Sequence, residues 1–146
     1  MQVVVERYPG KVEIAYEYDP EIHLIRVPPL LLHNFVENVI KHAVRQGEVT
    51  HIGLVGTYEN GEVIFQIMDD GPGIDPEKLK ELNESMRQKS SDGTHVGYYN
   101  SMRRLKYFYG EKADITIAAA LGEGTSVTVR FPYNLEELEY ECFDRE

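Results

Sequence analysis

Residues 50–74 have the sequence THIGLVGTYENGEVIFQIMDDGPGI, and this stretch decides the fold. Its β-branched and aromatic residues predict strands over residues 50–58 and 62–68, and Asn60-Gly61 between them is typical of a two-residue hairpin turn. The glycine- and proline-containing loop 69–74 follows the second strand directly. Two glycines around a proline let the backbone approach a ligand closely and leave N–H groups for it. Because Asp69 ends an apolar strand, we expect it to face a pocket and to need a donor such as an exocyclic amine.

The rest of the chain predicts further hairpins separated by helices. Strands are predicted over residues 3–8, 11–18, 115–119 and 126–131, and helices over 30–45, 76–88 and 98–109. This order of elements favours an α/β two-layer sandwich in which helices cover one face of a mostly antiparallel sheet. Residues 89–96 show no periodicity and predict a loop.

Length and charge narrow the class of protein. The 146 residues favour one domain, over residues 1–133, followed by an acidic C-terminal tail over 134–146. The tail has six acidic residues and one basic residue, so it carries −5 of the net charge of −10. An acidic protein repels a phosphate backbone, and we expect no nucleic acid partner. The single cysteine and the absence of a signal-peptide pattern favour a cytoplasmic protein or cytoplasmic fragment.

The predicted helix 30–45 has one apolar face and one polar side. Asn34, Asn38, Lys41 and Arg45 fall opposite the apolar residues, with Glu37 at the margin. A solvated helix face explains this pattern, yet asparagine is a poor helix former, and a surface built for stability favours Glu and Lys. The alternative is a site in which Asn38 ligates a hard cation and Glu37 accepts a proton.

Two further glycine-containing stretches can be interpreted either as ordinary turns and junctions or as parts of a ligand site. Residues 93–100 place glycines just before a predicted helix start, which is an ordinary junction or an anion site. The stretch Gly122-Glu123-Gly124-Thr125 predicts a hairpin turn, and the Thr125 hydroxyl could face the Asp69 pocket.

Taken in order, these motifs resemble the ATP-binding domain of sensor histidine kinases in the GHKL ATPase superfamily, and their LytS/YesM-like subfamily in particular. The matching stretches are Glu37-Asn38-x-x-Lys41-His42, Asp69-x-Gly71-x-Gly73, residues 93–100 followed by Arg104-Leu105, and Gly122-x-Gly124-Thr125. The resemblance covers roughly residues 3 to 132 and implies the Bergerat fold, with helices layered on a mixed sheet.

The resemblance also implies a function for each matching residue. Asn38 would ligate Mg²⁺ at the ATP phosphates, Glu37 would be the general base, and Lys41 and His42 would lie near the phosphates as catalytic residues. Asp69 would bind the adenine amine, and residues 75–97 would form a flexible lid that buries little. The residues expected to contact ATP are Asn34, Asn38, Asp69, Gly71, Gly73, Ile74, Gly97, Tyr98, Asn100 and Thr125.

The resemblance predicts a fragment of a larger membrane-bound receptor kinase. None of the five histidines lies in the Pro-His-Phe motif that accepts phosphate in this subfamily. We therefore expect a monomeric cytoplasmic domain that does not phosphorylate itself, whose partners are a histidine-bearing dimerisation domain and a response regulator.

Two alternatives stay open. The first is an anti-sigma-type GHKL serine kinase. The second is a non-catalytic nucleotide-sensing module, which is favoured by His95 and Tyr98 standing where the family usually has glycine and leucine.

Overall fold

The computed structural model describes residues 2–8, 12–25, 50–87 and 96–134. The predicted helix 30–45 and the acidic tail beyond Asn134 lie outside these residues. The described strands and helices, in chain order, are β1 (Gln2–Tyr8), β2 (Val12–Tyr18), a 3₁₀ helix (Pro20–Leu24), β3 (Thr50–Glu59), β4 (Glu62–Asp69), α1 (Pro76–Arg87), α2 (Val96–Tyr109), β5 (Asp114–Ala120) and β6 (Gly124–Pro132). Every strand and helix predicted within the described residues is present, with boundaries that differ by one or two residues.

The six strands form one sheet in the order β1-β2-β3-β4-β6-β5. The β2–β3 pair is parallel and every other pair is antiparallel, so the sheet is mixed and mostly antiparallel, as predicted. A parallel pair needs a long crossover connection, and the chain has 31 residues, 19–49, between β2 and β3.

The hydrophobic core lies between one face of the sheet and the two helices. Along the strands, buried and more exposed residues alternate, because successive side chains point to opposite faces. The helices contact each other and β5, and α2 also contacts β6. The core side chains from the sheet include Ile14, Ile52, Leu54, Val63, Phe65, Ile67, Ile115, Ile117, Val127, Val129 and Phe131, and those from the helices are Leu82, Met86, Tyr98, Met102 and Leu105.

The β3–β4 turn has the backbone that its sequence predicts. Asn60 and Gly61 have φ angles of 53° and 78°, the left-handed region that a two-residue hairpin turn of this type requires. This turn fixes the β3–β4 register, which pairs Glu59 with Glu62 and Ile52 with Asp69. The register set by this turn therefore determines which residue of β3 lies opposite Asp69 at the far end of the hairpin.

The helix α1 packs against β5, the edge strand of the sheet, and forms hydrogen bonds with its backbone. The side chain of Asn83 accepts a hydrogen bond from the backbone N–H of Ile117 at 3.2 Å and donates to the carbonyl of Ile117 at 3.0 Å and that of Leu79 at 3.1 Å. Leu82 and Met86 of the same helix are buried in the core. The expectation that residues 75–97 bury little is therefore wrong for α1, while residues 88–95 lie outside the described part of the chain.

No helix within the described residues is long and apolar enough to cross a membrane.

Candidate functional site

The loop that follows β4 places an acidic side chain at the end of the sheet. Asp69 is the last residue of β4, and its carboxylate Oδ1 accepts a hydrogen bond from the backbone N–H of Gly71 at 2.8 Å. Odd-numbered residues of β4 face the core, so Asp69 lies on the helix side of the sheet, beyond the buried Ile67. The half-buried carboxylate is held in one orientation by its own loop.

Thr125 is the direct neighbour of Asp69 on the next strand. In the antiparallel β4–β6 register, Asp69 pairs with Thr125 and Ile67 pairs with Val127. Val127 is buried in the core, so Thr125, two residues before it, lies on the same face. The structure thus brings the Asp69 carboxylate and the partly buried Thr125 hydroxyl to the same side of the sheet end.

The two glycine-containing segments pack backbone against backbone. The N–H of Gly122 donates to the carbonyl of Pro72 at 2.9 Å. Gly73 has φ +75°, and a β-carbon there would overlap the carbonyl oxygen of Ala120. Gly124 has φ +100°, and a β-carbon there would overlap the carbonyl oxygen of Asp69. These two glycines are therefore required for the loop and the β5–β6 turn to approach each other, a role that sequence analysis did not predict.

Tyr98 lies close to Asp69 from the first turn of α2. It is 9% exposed and belongs to the hydrophobic core. Burial raises the pKa of the Tyr98 phenol, and the negative charge of Asp69 raises that pKa further. The phenol is therefore uncharged at neutral pH.

The other predicted ATP contacts within the described residues have different surroundings. Ile74 is partly buried and packs against the core. Gly97 lies in the first turn of α2. Asn100 is exposed, and because each helical residue turns by ~100°, it lies on the opposite side of α2 from Tyr98. The structure therefore does not bring Asn100 together with Asp69 and Tyr98.

The predicted phosphate and metal residues cannot be placed. Asn34, Glu37, Asn38, Lys41 and His42 all lie outside the described residues. Within the described ranges, no group of three or more His, Cys, Asp or Glu side chains could hold a metal ion. Asp69 and Thr125 thus offer a hydrogen-bond acceptor and a hydroxyl that can donate or accept at the same end of the sheet.

Sequence analysis missed a group of three charged side chains on the other face of the sheet. His51 Nδ1 lies 2.8 Å from Asp70 Oδ2, and His51 Nε2 lies 3.3 Å from Glu13 Oε2. The hydrogen bond with Asp70 raises the pKa of His51, and its charge and that of Glu13 add to this, against a smaller opposing effect of desolvation. Desolvation tends to raise the pKa of Asp70, but the hydrogen bonds and charge of His51 outweigh it, so this pKa is lowered. The period-two alternation of the strands was the only signal for this group, since it places His51 and Asp70 on the same face.

A mixed sheet with helices on one face and an aspartate–glycine loop at the sheet end agrees with the fold expected of a GHKL ATP-binding domain. A family model described as histidine kinase-, DNA gyrase B-, and HSP90-like ATPase matches residues 28–135. The chain belongs to this family, which confirms the resemblance inferred from the motifs.

Curated relatives resemble the chain along most of its length. The sensor protein LytS of Bacillus cereus is 32% identical over 134 residues, which cover 91% of this chain and 23% of that protein. The sensor protein LytS of Bacillus subtilis is 30% identical over 127 residues, covering 86% of this chain and 21% of that protein. The chain thus spans less than a quarter of the length of these relatives.

Solved structures share the fold. The blue-light activated histidine kinase of Erythrobacter litoralis EL346 superposes with a TM-score of 0.61 at 19% identity, covering 88% of this chain and 37% of that chain. The catalytic domain of histidine kinase ThkA superposes with a TM-score of 0.59 at 19% identity, covering 87% of this chain and 81% of that chain. The predicted two-layer fold is confirmed.

Proposed function

We propose that this chain is the catalytic domain of a sensor histidine kinase, which binds ATP and transfers its γ-phosphate to a histidine on a separate dimerisation domain. Membership of the ATPase family and the similarity to LytS sensor proteins over 86–91% of the chain support this function. The structural observation that carries it is the Asp69 carboxylate, held by the Gly71 N–H on the helix side of the sheet, beside Thr125.

Adenine recognition follows from these side chains. An ionised carboxylate only accepts hydrogen bonds, so Asp69 selects a base that presents an amine, as adenine does, over one that presents a carbonyl at that position. The Thr125 hydroxyl donates or accepts as the base requires. Removing Asp69 from water makes a mismatched base unfavourable, because a buried carboxylate without a donor loses hydration without compensation.

Phosphate binding is assigned to the residues of the predicted helix 30–45. Asn38 would provide a neutral oxygen ligand to Mg²⁺, and Lys41 and His42 would lie near the phosphates. A bound Mg²⁺ neutralises phosphate charge, which an acidic protein with a net charge of −10 otherwise repels. Glu37 would accept the proton of the attacking group, and the backbone N–H of Gly97 at the start of α2 would contact the phosphates.

The transfer reaction requires partners beyond this chain. The acceptor would be a histidine on a dimerisation domain. A response regulator would then receive the phosphoryl group from that histidine. The chain would act on the cytoplasmic side of a membrane-bound parent protein. The similarity to sensor proteins favours this function over a serine kinase of the anti-sigma type.

Transfer from radiolabelled ATP to a supplied dimerisation segment tests this proposal. We expect label on the histidine of the segment, no label on the isolated chain, and loss of transfer in Glu37→Gln and Asn38→Ala. Asp114→Asn, an exposed site near the start of β5, serves as the control and should retain transfer. Label on a serine of a partner would establish the serine kinase instead. ATP binding without transfer at high acceptor concentration would establish the sensing module.

A further inference from the structure

Three strand ends are joined by one line of side chains on the sheet face opposite the core. Glu13 of β2 is the register partner of His51 of β3, and their side chains meet at 3.3 Å. On its other side, His51 contacts Asp70, the first residue after β4. Within the described residues, the titratable groups that face His51 are Glu13 from β2 and Asp70 from the loop after β4.

His51 and Asp70 are joined through both backbone and side chain. The backbone N–H of His51 donates to Asp70 Oδ1 at 2.8 Å, and the backbone N–H of Asp70 donates to the carbonyl of His51 at 3.2 Å. The ring Nδ1 adds a third contact, at 2.8 Å from Asp70 Oδ2. Together these bonds extend the β3–β4 pairing by one residue beyond Ile52 and Asp69.

The bonds between His51 and Asp70 affect the orientation of the Asp69 carboxylate through the backbone of Asp70. The Asp69 carboxylate is oriented by the N–H of Gly71, and Asp70 is the residue between the two. Fixing the backbone of Asp70 from the outer face therefore fixes where the Gly71 N–H points on the inner face. The side chains of Asp69 and Asp70 lie on opposite faces, so His51 can do this without touching a nucleotide.

We propose that His51 is a positioning residue for nucleotide binding, which holds the Asp69–Gly71 turn through Asp70 and does so most strongly when its imidazole is protonated. A protonated ring donates to Asp70 and to Glu13 at once, whereas a neutral ring has only one N–H to donate. The adenine affinity of the domain is then highest at pH values below the pKa of His51 and declines as the pH rises through it. The link to affinity rests on the proposed function, whereas the link to the Gly71 backbone does not.

The nucleotide-independent test is a pH titration of the ¹⁵N-labelled chain by NMR without ligand. We expect the Gly71 amide resonance to shift with the same midpoint as the His51 ring, above the ordinary histidine value of 6.5. Glu13→Gln removes one carboxylate from the ring and should move both midpoints to lower pH together. A Gly71 resonance that does not follow the His51 midpoint overturns the proposal, whatever the chain binds.

The second test compares nucleotide affinity of the wild type and His51→Gln across pH 6 to 8. Because exposed ion pairs contribute little, we expect the variant to bind only about 1.5- to 5-fold more weakly near pH 6, with the difference shrinking toward pH 8. The ionisation of the nucleotide phosphates affects the affinities of both proteins equally, so it cancels in the ratio of the two affinities at each pH. The matched control is Arg130→Ala, which breaks an exposed pair with Glu62 at the opposite end of β4.

The control variant should bind as the wild type does at every pH. An affinity ratio for His51→Gln that is independent of pH, or an equal loss in Arg130→Ala, overturns the positioning role. If the wild type binds no nucleotide at all, the proposed function fails, and the Gly71 titration alone decides the role of His51.

Discussion

Gly124 lies against the carbonyl of Asp69 so closely that a β-carbon at position 124 would overlap that oxygen. The residue is the first of β6, and it is followed by Thr125, the register partner of Asp69. The third glycine-containing motif and the aspartate loop are therefore parts of one packed unit.

Gly124→Ala should destabilise the domain more than Gly122→Ala. Both glycines have positive φ, but an added β-carbon at Gly122 meets nothing within 4 Å, whereas at Gly124 it meets backbone that cannot move aside cheaply. We expect about 1 kcal/mol for Gly122→Ala from the backbone conformation alone, and at least about 2–3 kcal/mol for Gly124→Ala. Urea unfolding of the two variants measures the difference. Equal losses would show that the close approach to Asp69 does not contribute.

Asn83→Ala should loosen the β5 edge of the sheet. The variant leaves the N–H and the carbonyl of Ile117 without the partner that Asn83 provides, in a partly buried position. We expect a loss of about 1–3 kcal/mol in the free energy of unfolding, together with faster amide exchange at Ile117. Glu84→Ala, at an exposed position one residue along α1, is the control and should change stability by less than about 0.5 kcal/mol. Unchanged exchange at Ile117 would contradict the role of Asn83.

The sequence predicted the hairpins and the position of Asp69 at the end of a strand because those signals are local. Asn60-Gly61 specifies its turn without help from the rest of the chain, and alternation along β4 places Asp69 on the inner face. Sequence analysis named Thr125 as a side chain that could face the Asp69 pocket, but the register that makes it the direct neighbour of Asp69 depends on strands far apart in sequence.

Other features depended on contacts that no local pattern encodes. The sequence predicted that residues 75–97 bury little, yet Leu82 and Met86 of α1 are buried, because α1 packs against α2 and β5. His51 and Glu13 are 38 positions apart and meet only because β2 and β3 pair in parallel with one particular register. The requirement for glycine at position 73 likewise arises from a distant residue, because a β-carbon there would overlap the carbonyl oxygen of Ala120.

Tyr109 provides a pH-dependent contribution to stability. Burial, with a smaller effect of Tyr133, raises its pKa to about 12. The phenol is thus uncharged in the folded state where it would ionise in the unfolded chain, at about 10. Its contribution is fully present below about pH 10 and is lost as the pH rises through about 12. Spectrophotometric titration should show a late-ionising component that is smaller by one tyrosine in Tyr109→Phe, which keeps the ring stacked at 3.9 Å on Phe131. The part that stays includes Tyr98, whose pKa is also raised by burial. Ionisation of all tyrosines near pH 10 would contradict this.

Asn38→Ala should weaken ATP binding in the presence of Mg²⁺ far more than it weakens adenosine binding. A neutral oxygen ligand acts through the metal, and adenosine carries no phosphate to bridge. Calorimetry of the variant with both ligands makes adenosine the internal control. Equal losses for ATP and adenosine would remove Asn38 from the metal site and would favour the solvated-face interpretation of its helix.

The most direct test of the central claim is the affinity of the chain for an ATP analogue, measured by calorimetry in the wild type and in Asp69→Asn. The wild type should bind, with Mg²⁺ increasing the affinity. The variant, whose amide can present a donor where the adenine amine needs an acceptor, should bind about 30- to 150-fold more weakly, equivalent to ~2–3 kcal/mol. Its circular dichroism and urea midpoint should show that the fold is retained. Wild-type affinity in the folded variant would contradict the assignment of Asp69 as the adenine acceptor.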